Sequence, residues 1–245
     1  MRFADGRRLL AEFLGSGLLV AAVVGSGIAA SRLSPGDVGL QLLENATATA
    51  AVLVGLILCL GPVSGGHFNP LVTAVDCAFG GVRLREAAGY GIAQVAGGIG
   101  GAWVANSMFG LATFELASKT RSGGPLWGSE VVATFGLLLV IFGVVRSGRS
   151  SAVPFAVGAY IGAAYFFTSS TSFANPAVTI GRMFSNSFAG IKPSSVPAFI
   201  SFQIIGAAIA AATIWALYPR EYPRETDNAA HVVGGVVRSG GFGRV

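Results

Sequence analysis

Apolar residues fall along this chain in long blocks rather than at the two- or four-residue spacing of a half-buried strand or helix. Six blocks (9–31, 40–60, 87–109, 129–145, 152–168 and 196–218) approach the roughly 20 residues that a membrane-crossing helix needs. Two further stretches, 68–79 and 174–184, are apolar enough to enter a bilayer but too short to cross it. Each carries an Asn-Pro pair near its start, and proline is at ease in the first helical turn, where its missing N–H loses no partner. The pattern predicts an all-α membrane protein of six transmembrane helices and two re-entrant half-helices.

The chain also repeats itself. Asn69-Pro70-Leu71-Val72-Thr73 matches Asn175-Pro176-Ala177-Val178-Thr179, Ala11-Glu12 matches Ser129-Glu130, and Gln94 with Gly97 matches Gln203 with Gly206. Offsets of 118, 106 and 109 residues (130 − 12, 175 − 69, 203 − 94) describe one duplicated unit with variable loops. Each half holds three crossing helices, an odd number, so the halves lie in opposite senses across the bilayer. One channel-like domain over 1–218 follows, with halves at about 8–110 and 127–218 and a cytoplasmic tail at 219–245.

Composition sharpens this picture. Hydrophobic residues make up 53% of the 245 and charged residues only 11%, well below the quarter or so of a soluble domain. Arg7 and Arg8 precede the first block, but that block is too long for a signal peptide and reads as a retained helix. With the N-terminus inside, eleven arginines (Arg2, Arg7, Arg8, Arg83, Arg85, Arg146, Arg149, Arg220, Arg224, Arg238 and Arg244) fall on one side. Five cations (Arg32, Lys119, Arg121, Arg182 and Lys192) fall on the other, which predicts cytoplasmic termini and a multi-pass protein of the cell's inner membrane, in contact with lipid. No basic cluster with interleaved aromatics points to nucleic acid. Cys59 and Cys77 lack the spacing of a metal site or a disulfide scaffold and read as small buried side chains. Neither a cofactor motif nor a nucleophile–base pair suggests an enzyme. The Asn45-Ala46-Thr47 sequon sits within an apolar block and is not expected to be glycosylated.

The candidate chemistry lies where irregular backbone must enter the membrane. Such backbone is tolerated only when buried in protein or lining an aqueous path. Two half-helices meeting at the midplane present their positive dipole ends there, and Asn69 and Asn175 add carboxamide donors at the same point. A water or a hydroxyl-bearing solute can accept those bonds, whereas a cation meets a positive barrier. Glu12 and Glu130 are the acidic residues deep within crossing blocks. Their paired placement predicts acceptors for the loops leading into the half-helices, with Gln94 and Gln203 as loop-facing donors. His67, two residues before Asn69, is placed at the cytoplasmic part of the pore.

With these features in view, the chain resembles the aquaporin or major intrinsic protein family across about residues 8–218, through Ser64-Gly65-Gly66-His67-Phe68-Asn69-Pro70, Asn175-Pro176-Ala177 and the paired Glu and Gln residues. The resemblance implies one pore per subunit, a homotetramer and a midplane formed by Asn69, Leu71, Asn175 and Ala177. Leu71 departs from the family's alanine and brings a bulkier group there. The selectivity filter is implied at Thr49, Ala163, Ser172 and Val178, with Val178 standing where family members that pass water or glycerol usually carry arginine. Arg182 is set aside as a different position. The filter so drawn is wide, with no aromatic ring and no cation, unless Phe166, Phe167 or Phe173 intrudes. The segment 168–179 is similar to bacterial aquaglyceroporins associated with arsenic resistance. The expected cargo is therefore water, glycerol and uncharged arsenite, methylated arsenicals included, or alternatively water and small polyols with no arsenic role.

Overall fold

The computed structural model describes residues 3–218, so the tail predicted at 219–245 lies outside the described residues. Eight α-helices run in chain order: α1 (Phe3–Leu33), α2 (Val38–Ser64), α3 (Pro70–Ala78), α4 (Leu84–Met108), α5 (Gly124–Arg146), α6 (Val153–Phe167), α7 (Pro176–Arg182) and α8 (Val196–Leu217). The described residues contain no strand. At 1.5 Å per residue, α3 and α7, of 9 and 7 residues, reach only about 14 and 11 Å, against a hydrocarbon core of about 30 Å. The other six form the bundle.

Five of those six combine length with strong apolarity, α6 doing so together with the 3₁₀ turn before it. The exception is α4, 25 residues long. Buried Gln94 and Asn106 and a run of glycines lower its hydropathy because it packs inward, against α1 and α7. A helix with less lipid to face needs less apolar surface.

Packing repeats the duplication seen in the sequence. α1 crosses α4 and α5 crosses α8, while α2 lies on α6 between the halves. A Cβ on Gly97 would overlap the Phe13 carbonyl of α1, and one on Gly206 would overlap the Val131 carbonyl of α5. Both crossings therefore depend on bare backbone at the contact. Gly158 and Gly162 bring α6 close to Ala50 of α2 in the same way. Small residues let these helices approach closely at their crossings.

Two smaller expectations meet the structure here. Asn45 is buried, and its Nδ2 donates to the Val23 carbonyl and Ser26 Oγ, 2.8 Å each, so it serves as an α1–α2 tie. Cys59 is exposed on the outer face of α2, not buried as its apolar block suggested, because that block is also the lipid-facing surface; Cys77 is half-buried, and both are free thiols.

Candidate functional site

Each half-helix is preceded by an irregular loop held by a buried carboxylate. Glu12 Oε1 accepts from the His67 backbone N–H at 3.0 Å and from Ser64 Oγ at 2.6 Å. Its Oε2 accepts from the Phe68 N–H and from Gln94 Nε2, 2.7 Å each. In the other half, Glu130 accepts from the Phe173 and Ala174 N–H groups at 3.0 Å and from Gln203 Nε2 at 2.6 Å. The two glutamines also donate to Thr73 and Thr179, whose hydroxyls donate in turn to the carbonyls of Asn69 and Asn175. A buried charge is costly unless saturated, and these carboxylates are saturated by loop backbone.

The asparagines begin the half-helices. Asn69 Oδ1 accepts from the Leu71 N–H, and Asn175 Oδ1 from the Ala177 and Val178 N–H groups, which is N-capping. Their amide nitrogens cross between halves: Asn69 Nδ2 donates to the Ala174 carbonyl and Asn175 Nδ2 to the Phe68 carbonyl, both at 2.8 Å. Phe68 and Ala174 adopt φ of 46° and 48°, a left-handed conformation costly for such residues. That geometry aims each carbonyl at the opposite asparagine. A carboxamide nitrogen carries two hydrogens, so one N–H of each remains for a solute.

A cavity of about 1070 Å³ runs past these groups. Asn69 and Asn175 line it, together with Val72 and Val178. Leu71 and Ala177 do not. Leu71 packs with Val75, Leu138 and Ala207 in the core beside α5 and α8, and Ala177 is fully buried with its carbonyl against Gly98 of α4. In a helix the residue two after the cap faces away from it by more than half a turn, so a bulkier Leu71 does not narrow the path.

The filter expected from the resemblance is changed more deeply. Thr49, Ser172 and Val178 line the cavity, but Ala163 does not. It is exposed in an outward groove with Ala159 and Phe166. Counting back from Asn175 crosses the loop 168–175, where Thr171 and Ser172 have φ of 65° and 52°; the helical register of α6 does not survive that path. Tyr165 faces the cavity instead, its hydroxyl 3.1 Å from Thr49 Oγ1. Phe173 and Arg182 also line it, so the mouth has aromatic rings and a cation after all, whereas Phe166 and Phe167 point outward. Ser172 Oγ is buried without a protein partner.

At the other mouth, His67 lines the cavity with Nδ1 3.1 Å from Thr73 Oγ1 and Nε2 3.9 Å from Asp76. Asp76 and Arg182 both lie seven residues after their asparagines. Sequence reading missed Asp76, Tyr165 and the paired threonines. The repeat offset carried the signal for Asp76 and the threonines, and nothing in the spacing carried Tyr165. In the loop beside Arg182, burial pushes Arg121 down to about 10. Burial, with Arg121 and Arg182 nearby, pushes Lys119 down to about 8. This mouth is strongly positive.

Comparison with known proteins agrees with this geometry. The chain is 50% identical to aquaglyceroporin AqpS of Rhizobium meliloti (strain 1021), over 87% of this chain and 91% of the relative. It is 32% identical to the lens fiber major intrinsic protein of Gallus gallus, over 84% and 79% respectively. The X-ray structure of the aquaglyceroporin from Plasmodium falciparum superposes with a TM-score of 0.66 at 18% identity, covering 85% of this chain and 94% of that one, which supports a common fold. The family model for major intrinsic proteins matches residues 2–173. With inverted halves, paired asparagine caps and a continuous lined cavity, the chain belongs to the major intrinsic protein family, whose members are membrane channels and not enzymes.

Proposed function

We propose that the chain is a passive channel for small uncharged solutes: water, glycerol and neutral metalloid hydroxides such as arsenite. The crossed asparagines carry this reading. Each has a spare N–H at the cavity, beside walls of Leu19, Val23, Leu137 and Ile141. A solute there exchanges one hydrogen bond for another while the apolar wall holds it weakly, the balance that conduction requires. A coupled transporter needs a charged site for its ion; the buried carboxylates Glu12 and Glu130 are already occupied by loop N–H groups, and Asp76 sits at the mouth beside His67 rather than at the asparagines.

The larger cargo rests on the neck. Thr49, Ser172 and Val178 are small, and the unpartnered Ser172 hydroxyl offers a bond to a hydroxide or polyol. The arginine-rich face carrying the N-terminus is cytoplasmic, the membrane is the cell's inner membrane, and four copies assemble with a pore in each. Stopped-flow uptake of water, glycerol and arsenite by the same proteoliposomes tests the reading. Uptake of all three without an ion gradient is expected. Dependence on such a gradient would overturn it. Val178→Arg is expected to slow glycerol and arsenite more than water, and an equal loss for all three would remove the wide-neck argument.

A further inference from the structure

The outer mouth holds a cation that the channel scheme has not yet used. Arg182 lies one helical turn beyond Val178 on the same face of α7, farther from the midplane by about 6 Å of helix rise. It is 2% exposed and lines the same cavity as Val178. Its guanidinium sits 3.5 Å over the centroid of the Phe173 ring, and its Nε donates to the Ala189 carbonyl. Among the described residues its terminal nitrogens find no protein acceptor, and no carboxylate pairs with it. Glu130, the buried carboxylate of this half, is taken up by the loop N–H groups and Gln203.

Two further cations lie close by, with the Glu130 carboxylate within electrostatic reach of both Arg121 and Arg182. Arg121 lies over the same Phe173 ring at 5.1 Å and donates to the Gly190 carbonyl. Lys119 donates to the Phe188 carbonyl at 3.1 Å. Three successive carbonyls, of residues 188, 189 and 190, thus hold three cations, two of them over the Phe173 ring and Lys119 over that of Phe188. The position is also electrostatically apt, since a helix C-terminus favours a cation. A fixed, desolvated charge in a low-dielectric mouth acts strongly on whatever enters.

We propose that Arg182 is the charge-selecting residue of this pore, turning cations away one helical turn beyond Val178 so that the neck itself needs no cation. Exclusion of charge and selection by size are thereby separated along the axis. Val178, Ser172, Thr49 and Tyr165 set the aperture, and Arg182, braced on Phe173, sets the sign of what reaches it. This inference rests on the channel reading above.

The experiment compares the parent protein, Arg182→Gln, Arg182→Lys and the double variant Val178→Arg with Arg182→Gln in proteoliposomes. Water and glycerol swelling are read beside potassium and proton flux under imposed gradients. Arg182→Gln is expected to keep water permeability within about twofold while cation flux rises about tenfold or more. Arg182→Lys is expected to stay tight to cations, and the double variant to regain tightness while losing glycerol passage. If Arg182→Gln fails to purify as a monodisperse protein, Arg182→Met keeps the stem length and the contact with the Phe173 ring and is expected to behave as the glutamine variant does. A glutamine or methionine variant that passes water yet remains as tight to cations as the parent overturns this inference alone. A parent that passes no water overturns the channel reading, and this inference with it.

Discussion

Thr171 and Ser172 adopt left-handed backbone where the matching loop of the first half uses Gly65 and Gly66. Such a conformation costs an L-residue roughly 1–2 kcal/mol, so the second loop carries strain that the first avoids. For Ser172 the side chain explains it, because its hydroxyl faces the cavity unpartnered. Ser172→Gly is therefore expected to raise the thermal unfolding midpoint in detergent, by about 1 kcal/mol of stability, while slowing glycerol relative to water. The displaced filter position gives a second residue-level test. Ala163→Trp is expected to leave solute ranking unchanged, since Ala163 faces outward, whereas Tyr165→Trp is expected to block glycerol; swelling assays distinguish them. Glu130→Gln replaces the acceptor of two loop N–H groups and a glutamine with a group that must also donate. Hydrogen bonds to a charge contribute about 1.5–3 kcal/mol each. A drop of about 3 kcal/mol in stability and loss of all permeation are expected, measured by unfolding and swelling on one preparation.

The glycines of α4 divide its faces. Gly97 and Gly101 would press a Cβ into the Phe13 and Gly17 carbonyls of α1, while Gly91 has open space around it. Gly97→Ala is expected to cost about 1–3 kcal/mol through forced separation of α1 and α4. Gly91→Ala is expected to gain up to about 1 kcal/mol from helix propensity alone. Unfolding midpoints of opposite sign check the pair. Most of this element-level architecture was legible in the chain, because a bilayer forces long apolar blocks and an odd count per half forces inversion. The filter was less legible. Thr49 is separated from Asn69 by a loop whose glycines relax it, but Ala163 is separated from Asn175 by a strained loop, and the face of α6 that meets the cavity carries Ile161 and Tyr165 in place of Ala163. Arg182 was visible as a residue but not as a pore residue, since only folding shows which face of α7 meets the cavity. Leu71 was misplaced for the same reason.

Across the whole molecule the two halves are joined by the bonds from Asn69 to Ala174 and from Asn175 to Phe68. Residues 106 apart in sequence (175 − 69) should therefore be energetically coupled. In a double-mutant cycle of Asn69→Ala and Asn175→Ala, non-additivity of about 0.5–3 kcal/mol is expected; additive losses would show that each asparagine serves only its own cap. The cross-link has a bearing on synthesis as well. When the first half emerges from the ribosome, the Phe68 carbonyl has no asparagine to meet it and Asn69 no carbonyl to reach. At about 5–20 residues per second, roughly 5–20 s pass before residue 175 is made. The cross-link between the halves can therefore be completed only late, once the second asparagine has been made, and until then the first loop must hold its shape through bonds within its own half, those to Glu12 among them.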